Sequence, residues 1–303
     1  MRVMLQVAYD GTDYCGWQIQ PSGVTIEEKL NEALTELLGE EIKVSGASRT
    51  DSGVHALCNL AVFDTDTRIP AEKISYAVNQ RLPRDIRVRA SLKVPDGFHP
   101  RFAKTIKTYE YRIFNSRFPD PLRDRYSFFT YYDLDAAAMK RAAAFLVGEH
   151  DFASFCTVGS QVESTVRTIT DMDIDERPVD EALVCANAGV FLKDVNSGSF
   201  LKDVTTCMNE GDFVKEQKDV GIRDDKKIEI PPRRIKDREI IIRVSGTGFL
   251  YNMVRIIAGT LMEVGRGAIH PDDIPGIIDG RDRNLAGPTA PACGLTLVKY
   301  ELL

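Results

Sequence analysis

No pair of cysteines in this sequence is spaced to hold a metal or to form a catalytic disulfide. The six cysteines are scattered without a CxxC, and the four histidines form neither HxH nor HExxH. Metal-centred and dithiol redox chemistry therefore find no support among the residues, and no cofactor is expected. Nor is there an apolar run long enough for a membrane span or a signal peptide: the opening MRVMLQVAYDGTDY is interrupted at Gln6 and again at Asp10. That predicts a cytoplasmic protein with no membrane partner. Basic residues are in deficit, 39 Lys and Arg against 45 Asp and Glu for a net charge of -6, whereas nucleic-acid-binding chains usually carry a basic surplus. What remains is ordinary globular usage, 43% hydrophobic and 28% charged over 303 residues. That length suits two domains of roughly 100 to 200 residues each.

The charge deficit is uneven. Between Arg81 and Arg125, twelve Arg or Lys stand against five Asp or Glu, so one segment is strongly basic inside an acidic chain. Within it, Thr105 to Phe114 (TIKTYEYRIF) alternates as a strand. Ile106, Thr108, Glu110 and Arg112 fall on one side, and Lys107, Tyr109, Tyr111 and Ile113 on the other. Interleaved cations and aromatic rings suit a nucleic acid, since cations meet phosphates and rings stack on bases.

Along the chain, Val3 to Ala8 reads as a buried strand, followed by a glycine- and aromatic-rich loop that holds the only tryptophan, Trp17. Taken alone, Trp17 reads as a core plug. Thr25 and Glu28 form a capping box for a helix along Ile26, Leu30, Ala33 and Leu34 that ends near Gly39. Strands are expected at Leu60 to Phe63 and Ile86 to Val94, with a helix opened by Pro70 between them. The second half repeats this mixture. A helix over Ala136 to Val147 is capped by Asp135 with Gly148 beyond its end; strands follow at Val166 to Ile174 and Glu239 to Val244, then an apolar helix from Asn252 to Val264. The expected fold class is α+β: two similar mixed α/β halves, 1–102 and 103–303, each an antiparallel sheet with helices on one face. The polar stretch from about 178 to 237, in which FLKDV occurs twice, reads as an inserted surface subdomain.

Four local patterns invite chemistry. Gly246-Thr247-Gly248 sits between a strand and a helix but lacks the third glycine of a dinucleotide fingerprint. Asp51-Ser52-Gly53 matches the core of an aspartic protease, yet no second copy exists to share its proton. Glu149-His150-Asp151 has acid-base residues side by side, where they do not converge, and reads as a loop. The fourth is GASRTDSGVHA, Gly46 to Ala56. There the run Ile42 to Ser45 implies a strand that would place Arg49 and Asp51 on one face if it holds through Arg49. Arg255 stands out among Met253, Val254, Ile256 and Ile257, because an arginine on an apolar helix is costly unless it is paired. Asp51 is the partner expected for it.

RTDSGVHA at 49 to 56, YDGTDYCGW at 9 to 17, FHPRFA and KTYEYRI between 98 and 113, GFLYNMVR at 248 to 255 and APACGLTL at 290 to 297 together resemble the tRNA pseudouridine synthase A family. The motifs match in order and spacing over most of the chain. The resemblance implies two α/β halves around an RNA-binding cleft, a homodimer, a tRNA substrate, and isomerisation of uridine at positions 38 to 40 of the anticodon stem-loop. It makes Asp51 the catalytic aspartate, Arg255 the arginine paired with it, Tyr109 the ring that stacks on the target base, Arg49 an RNA contact and Leu295 part of the base pocket. The segment 178–237 departs from the family pattern. Such a reaction adds and removes nothing, so one ionised carboxylate in a closed pocket suffices, either attacking C1′ or taking a sugar proton.

Overall fold

Val3, Leu5 and Val7 alternate with Met4 along the first strand, β1 (Arg2–Tyr9), and the two sets enter cores on opposite faces of a sheet. The computed structural model describes residues 1–157, 163–179 and 237–303, and its sheet has ten strands. The others are β2 (Ser45–Gly46), β3 (His55–Asp64), β4 (Ile86–Val94), β5 (Thr105–Asn115), β6 (Phe128–Thr130), β7 (Gly148–Asp151), β8 (Val166–Pro178), β9 (Arg238–Gly246) and β10 (Leu295–Leu302). The α-helices among the described residues are α1 (Ile26–Leu38), α2 (Ala71–Val78), α3 (Ala136–Ala144), α4 (Met253–Gly265) and α5 (Ile274–Gly280). None of these is long and apolar enough to cross a membrane. The FLKDV repeats and nearly all of the 178–237 segment lie outside the described residues.

The main strand order is β4-β1-β3-β10-β5-β9-β8-β7. It contains the same arrangement twice. In each half the first strand, β1 or β5, lies between the last strand, β4 or β10, and a strand that separates two helices, β3 or β9; all four pairings are antiparallel. β3 and β10 meet as a parallel pair, Thr296 with His55 and Leu297 with Ala56. The two expected sheets are thus joined edge to edge into one. Leu297 belongs to the core of α1 and α2, and Leu295 to the core of α3, α4 and α5, so one strand serves both.

Local signals account for most boundaries. Thr25 Oγ1 accepts from the Glu28 amide while Glu28 accepts from the Thr25 amide, both at 3.3 Å, and Gly39 closes α1 in the left-handed region. Asp135 caps α3 by accepting from the Ala138 amide at 2.8 Å. That helix ends at Ala144 instead of Val147, because Phe145 and Leu146 tighten onto Ala142 and Ala143. The chain then enters β7, so Glu149-His150-Asp151 is an edge strand paired with Val166 to Thr168 of β8, not a loop. Its sequence gives no strand signal, because only four residues form β7 and none of them is apolar.

The strand expected through Arg49 does not form: β2 stops at Gly46, and residues 47 to 54 run as a loop. Its polar backbone is satisfied by β3 at Ala47 and Ser48, through Leu60 O and the Asn59 side chain, and by the 10–17 loop from Thr50 to Gly53. The Trp17 amide donates to Thr50 O at 3.1 Å, and the Gly53 amide and Ser52 hydroxyl both reach Tyr14 O at 3.2 Å. So close an approach excludes side chains. A Cβ on Gly11 would lie 2.1 Å from Val54 O, and one on Gly16, whose φ is +86°, would lie 2.6 Å from Thr50 O. Trp17, only 1% exposed, lies against Gly46 and plugs the core as expected. Gly16→Ala therefore meets both left-handed strain and a backbone collision. It is expected to cost about 2 kcal/mol or more of stability. A chemical-denaturation midpoint equal to that of the wild type would show that the two loops are not rigidly clasped.

Candidate active site

Asp51, Arg49, Tyr109, Arg255 and Leu295 all line one cavity of about 470 Å³ at the seam between the halves. The 47–54 loop contributes one wall, and β5, the turn from β9 into α4 and the start of β10 contribute the other. Arg49 and Asp51 share this cavity through the loop's path and not through strand alternation. Arg49 is exposed and makes no ion pair among the described residues.

Arg255 Nη1 lies 3.5 Å from Asp51 Oδ2, with side-chain exposures of 18% and 16%. The expected contact is present. Burial pushes the Asp51 carboxyl above the usual range, and the Arg255 guanidinium offsets only part of that rise. The guanidinium is itself held on two other sides: Nε donates to Ala290 O at 2.7 Å, and Nη1 donates to Asn252 Oδ1 at 2.8 Å. Asn252 has a φ of +60° and donates through Nδ2 to Thr157 Oγ1 at 2.9 Å. Neither Asn252 nor Thr157 stands out in the sequence. The available signal, an asparagine directly before a helix, reads as an ordinary cap.

Tyr109 projects from β5 into the cavity, its ring edge-on to Phe249 at 5.3 Å and 87°. Burial raises its hydroxyl above the ordinary phenol value. Lys107, two residues earlier and on the same side, also lines the cavity. Its Nζ lies 3.5 Å from Ala47 O and 5.3 Å from the centre of the Tyr300 ring. Burial, reinforced by Arg101, lowers its pKa to about 8. Alternation along β5 puts Lys107 beside Tyr109, but nothing else in the sequence distinguishes it from its basic neighbours. Phe249, Leu250 and Tyr251 of the GTGFLY stretch form more of the wall.

The cavity's charge is lopsided. Arg49, Arg101, Lys107, Arg167 and Arg255 line it against a single carboxylate, Asp51. Such a lining suits a phosphate backbone. Of the basic residues between 81 and 125, only Arg101 and Lys107 are in it; Arg112 and Arg123 pair with Glu239 and, respectively, with Glu110 and Asp120. The basic segment is therefore spread over both faces of the sheet. Asp51 is the only acid among the described residues that line the cavity, so these residues do not supply the two carboxylates of an aspartic protease. Among the described residues no cluster of three or more His, Cys, Asp or Glu is placed to hold a metal.

A sheet of two repeated halves with a lone carboxylate among cations at their seam is an arrangement for acting on a polyanion. The family model described as tRNA pseudouridine synthase matches residues 5–103 and again 142–301. Among curated proteins, the tRNA pseudouridine synthase A of Ruminiclostridium cellulolyticum is 41% identical over 298 residues, covering 98% of this chain and 98% of that protein. Those of Thermoanaerobacter pseudethanolicus and Acetivibrio thermocellus are 39% and 38% identical over 297 residues, with the same coverage of both chains. The chain belongs to the tRNA pseudouridine synthase family.

The raised carboxyl of Asp51 has a consequence for stability. The folded state holds that proton at pH values where the unfolded chain has released it, so this group's destabilising effect is absent below the unfolded pKa of about 3.9 and grows as pH rises through the folded pKa. Asp51→Asn, which resembles the protonated form, is therefore expected to be at least as thermostable as the wild type at pH 7. The difference should shrink on acidification toward pH 4. A variant less stable at pH 7 than at pH 4, each relative to the wild type, would reverse the sign assigned here.

Proposed function

We propose that this protein isomerises uridine to pseudouridine at positions 38, 39 and 40 of the tRNA anticodon stem-loop. The observation that carries this reading is the ionisable carboxylate of Asp51, mostly buried and set against Arg255 in an otherwise cationic cavity. The reaction breaks the N1–C1′ bond, turns the base in place and joins C5 to C1′; the C5 proton is lost and N1 gains one, so no co-reactant is consumed. Asp51 acts either by attacking C1′ or by removing a sugar proton. Both routes need it ionised, and Arg255 favours that form.

Reaching C1′ requires the nucleotide to leave its stack, at a cost of a few kcal/mol, and stacking of the base on Tyr109 recovers about 1–3 kcal/mol. Leu295 closes the pocket beside the base, and Arg49 contacts the RNA at its rim. Activity should fall on the acid side as Asp51 takes up its proton, and tRNA binding should weaken steeply with salt because the lining cations displace counterions.

The chain is read as two halves, 1–102 and 103–303, the second interrupted at about 178–237. The two matches of one family model support this division, the second being longer than the first by roughly the length of that segment. A homodimer in the cytoplasm completes the reading. Its contact face is inferred on the side of the sheet away from the cavity, where Leu57, Leu122 and Tyr126 line a groove and are 44%, 88% and 48% exposed.

Purified protein incubated with unmodified tRNA is expected to give pseudouridine at positions 38 to 40, mapped by position; folded protein that leaves those uridines unchanged would defeat the assignment. Asp51→Asn should abolish turnover. Tyr109→Ala should keep the fold and lose about ten- to a hundredfold in kcat/KM, matching the lost stacking energy. Equal activity in the tyrosine variant would remove its stacking role. Light scattering should give twice the chain mass for the wild type and the chain mass for Leu122→Asp, and a monomeric wild type would discard the dimer.

A further inference from the structure

Asn252 occupies the position directly before α4, where asparagine ordinarily caps a helix. There its side-chain oxygen accepts a backbone N–H two or three residues on, with extended backbone angles, and stabilises the helix by about 1 kcal/mol. Asn252 does neither. Its φ is +60°, it makes no side-chain cap bond, and its Oδ1 accepts instead from the side chain of Arg255, three residues on. Only one other non-glycine residue among those described, Arg281, has a positive φ. A non-glycine residue in the left-handed region persists where its surroundings over-determine it, and asparagine is among the few that tolerate it. Its surroundings do so on both sides, since Nδ2 donates to Thr157 Oγ1 at 2.9 Å while Oδ1 accepts from Arg255 Nη1 at 2.8 Å. That same Nη1 is the atom 3.5 Å from Asp51 Oδ2.

We propose that Asn252, anchored by Thr157, is a positioning residue that fixes the Arg255 guanidinium against Asp51 and so keeps the carboxylate in its reactive, ionised form. The inference rests on Asp51 being the catalytic carboxylate. Ala290 O holds Nε of the same guanidinium, which leaves the group free to pivot about that bond; the Asn252 contact removes the pivot. The charged and titratable groups that line the cavity with Asp51 and Arg255 are Arg49 from the Asp51 loop, Lys107 and Tyr109 from β5, Arg101, Arg167 from β8 and Tyr251 from the turn before α4, and those beside Arg255 are Tyr111 and Cys293. Of these cations only Arg255 is within ion-pair distance of the carboxylate. Burial already dominates at Asp51, and loosening Arg255 removes the offset to it and moves its titration to higher pH.

The test is Asn252→Gly, because glycine keeps the left-handed backbone and removes only the side chain. The expected result is a kcat at neutral pH reduced at least tenfold, a KM for tRNA within about twofold of the wild type, and an acid limb of the kcat profile displaced upward by more than half a pH unit. An acid limb that stays in place, or a kcat within threefold, would overturn the proposal. Should Asn252→Gly fail to fold, Thr157→Val removes the anchor without touching residue 252. It should move the acid limb in the same direction by less, and an unmoved limb would again overturn the proposal. Asp51→Asn is measured alongside. Turnover by that variant would overturn the catalytic role of Asp51 and the positioning role with it, whereas an inactive Asp51→Asn combined with an unmoved limb in Asn252→Gly would overturn the positioning role alone.

Discussion

The geometry of the cavity around Asp51 depends on a contact between two loops that share no β-ladder. Asp51 lies four residues before β3 and five after the end of β2, so no strand holds it directly. It is held because the 10–17 loop presses its backbone onto 50–54, with Gly11 and Gly16 giving the space and Trp17 filling the core beneath. Every hydrogen bond in that contact runs between main chains or to a main-chain carbonyl. The side chain of Asp51 is thereby left free to face the other half of the molecule, where Arg255 waits at the first turn of α4.

That pairing is a compromise between two opposing demands. Burial raises the Asp51 carboxyl, and the arginine works toward the charged form without cancelling the burial. The same pocket carries four further cations with no acid of their own among its lining. Lys107 shows this arrangement most directly: burial, with a smaller contribution from Arg101, lowers its ammonium to about 8, and among the described residues it meets a carbonyl and an aromatic face. A phosphate backbone carries the charge that these groups lack.

Features written in short-range pattern were legible in the sequence. The capping box at Thr25 and Glu28, the alternation that sets Lys107 and Tyr109 on the side opposite Arg112, and the cost of an arginine on an apolar helix each led to a correct placement. The features that were not legible have a common cause. The loop at 50–54 takes its shape from residues more than thirty positions away, β7 forms because β8 offers it an edge, and the conformation of Asn252 follows from partners at Thr157 and Arg255. Nothing local distinguishes an asparagine that caps its helix from one that turns away to hold a guanidinium.

The parallel seam between β3 and β10 places a strand made late in synthesis in the middle of the sheet. Translation proceeds from the N-terminus and domains fold as they emerge, so β1, β3 and β4 can assemble with α1 and α2 while β3 still presents an open edge. That edge stays unpaired until the ribosome has made Leu295 to Leu302. The pocket is therefore completed last, because its second wall includes Leu295 at the start of β10.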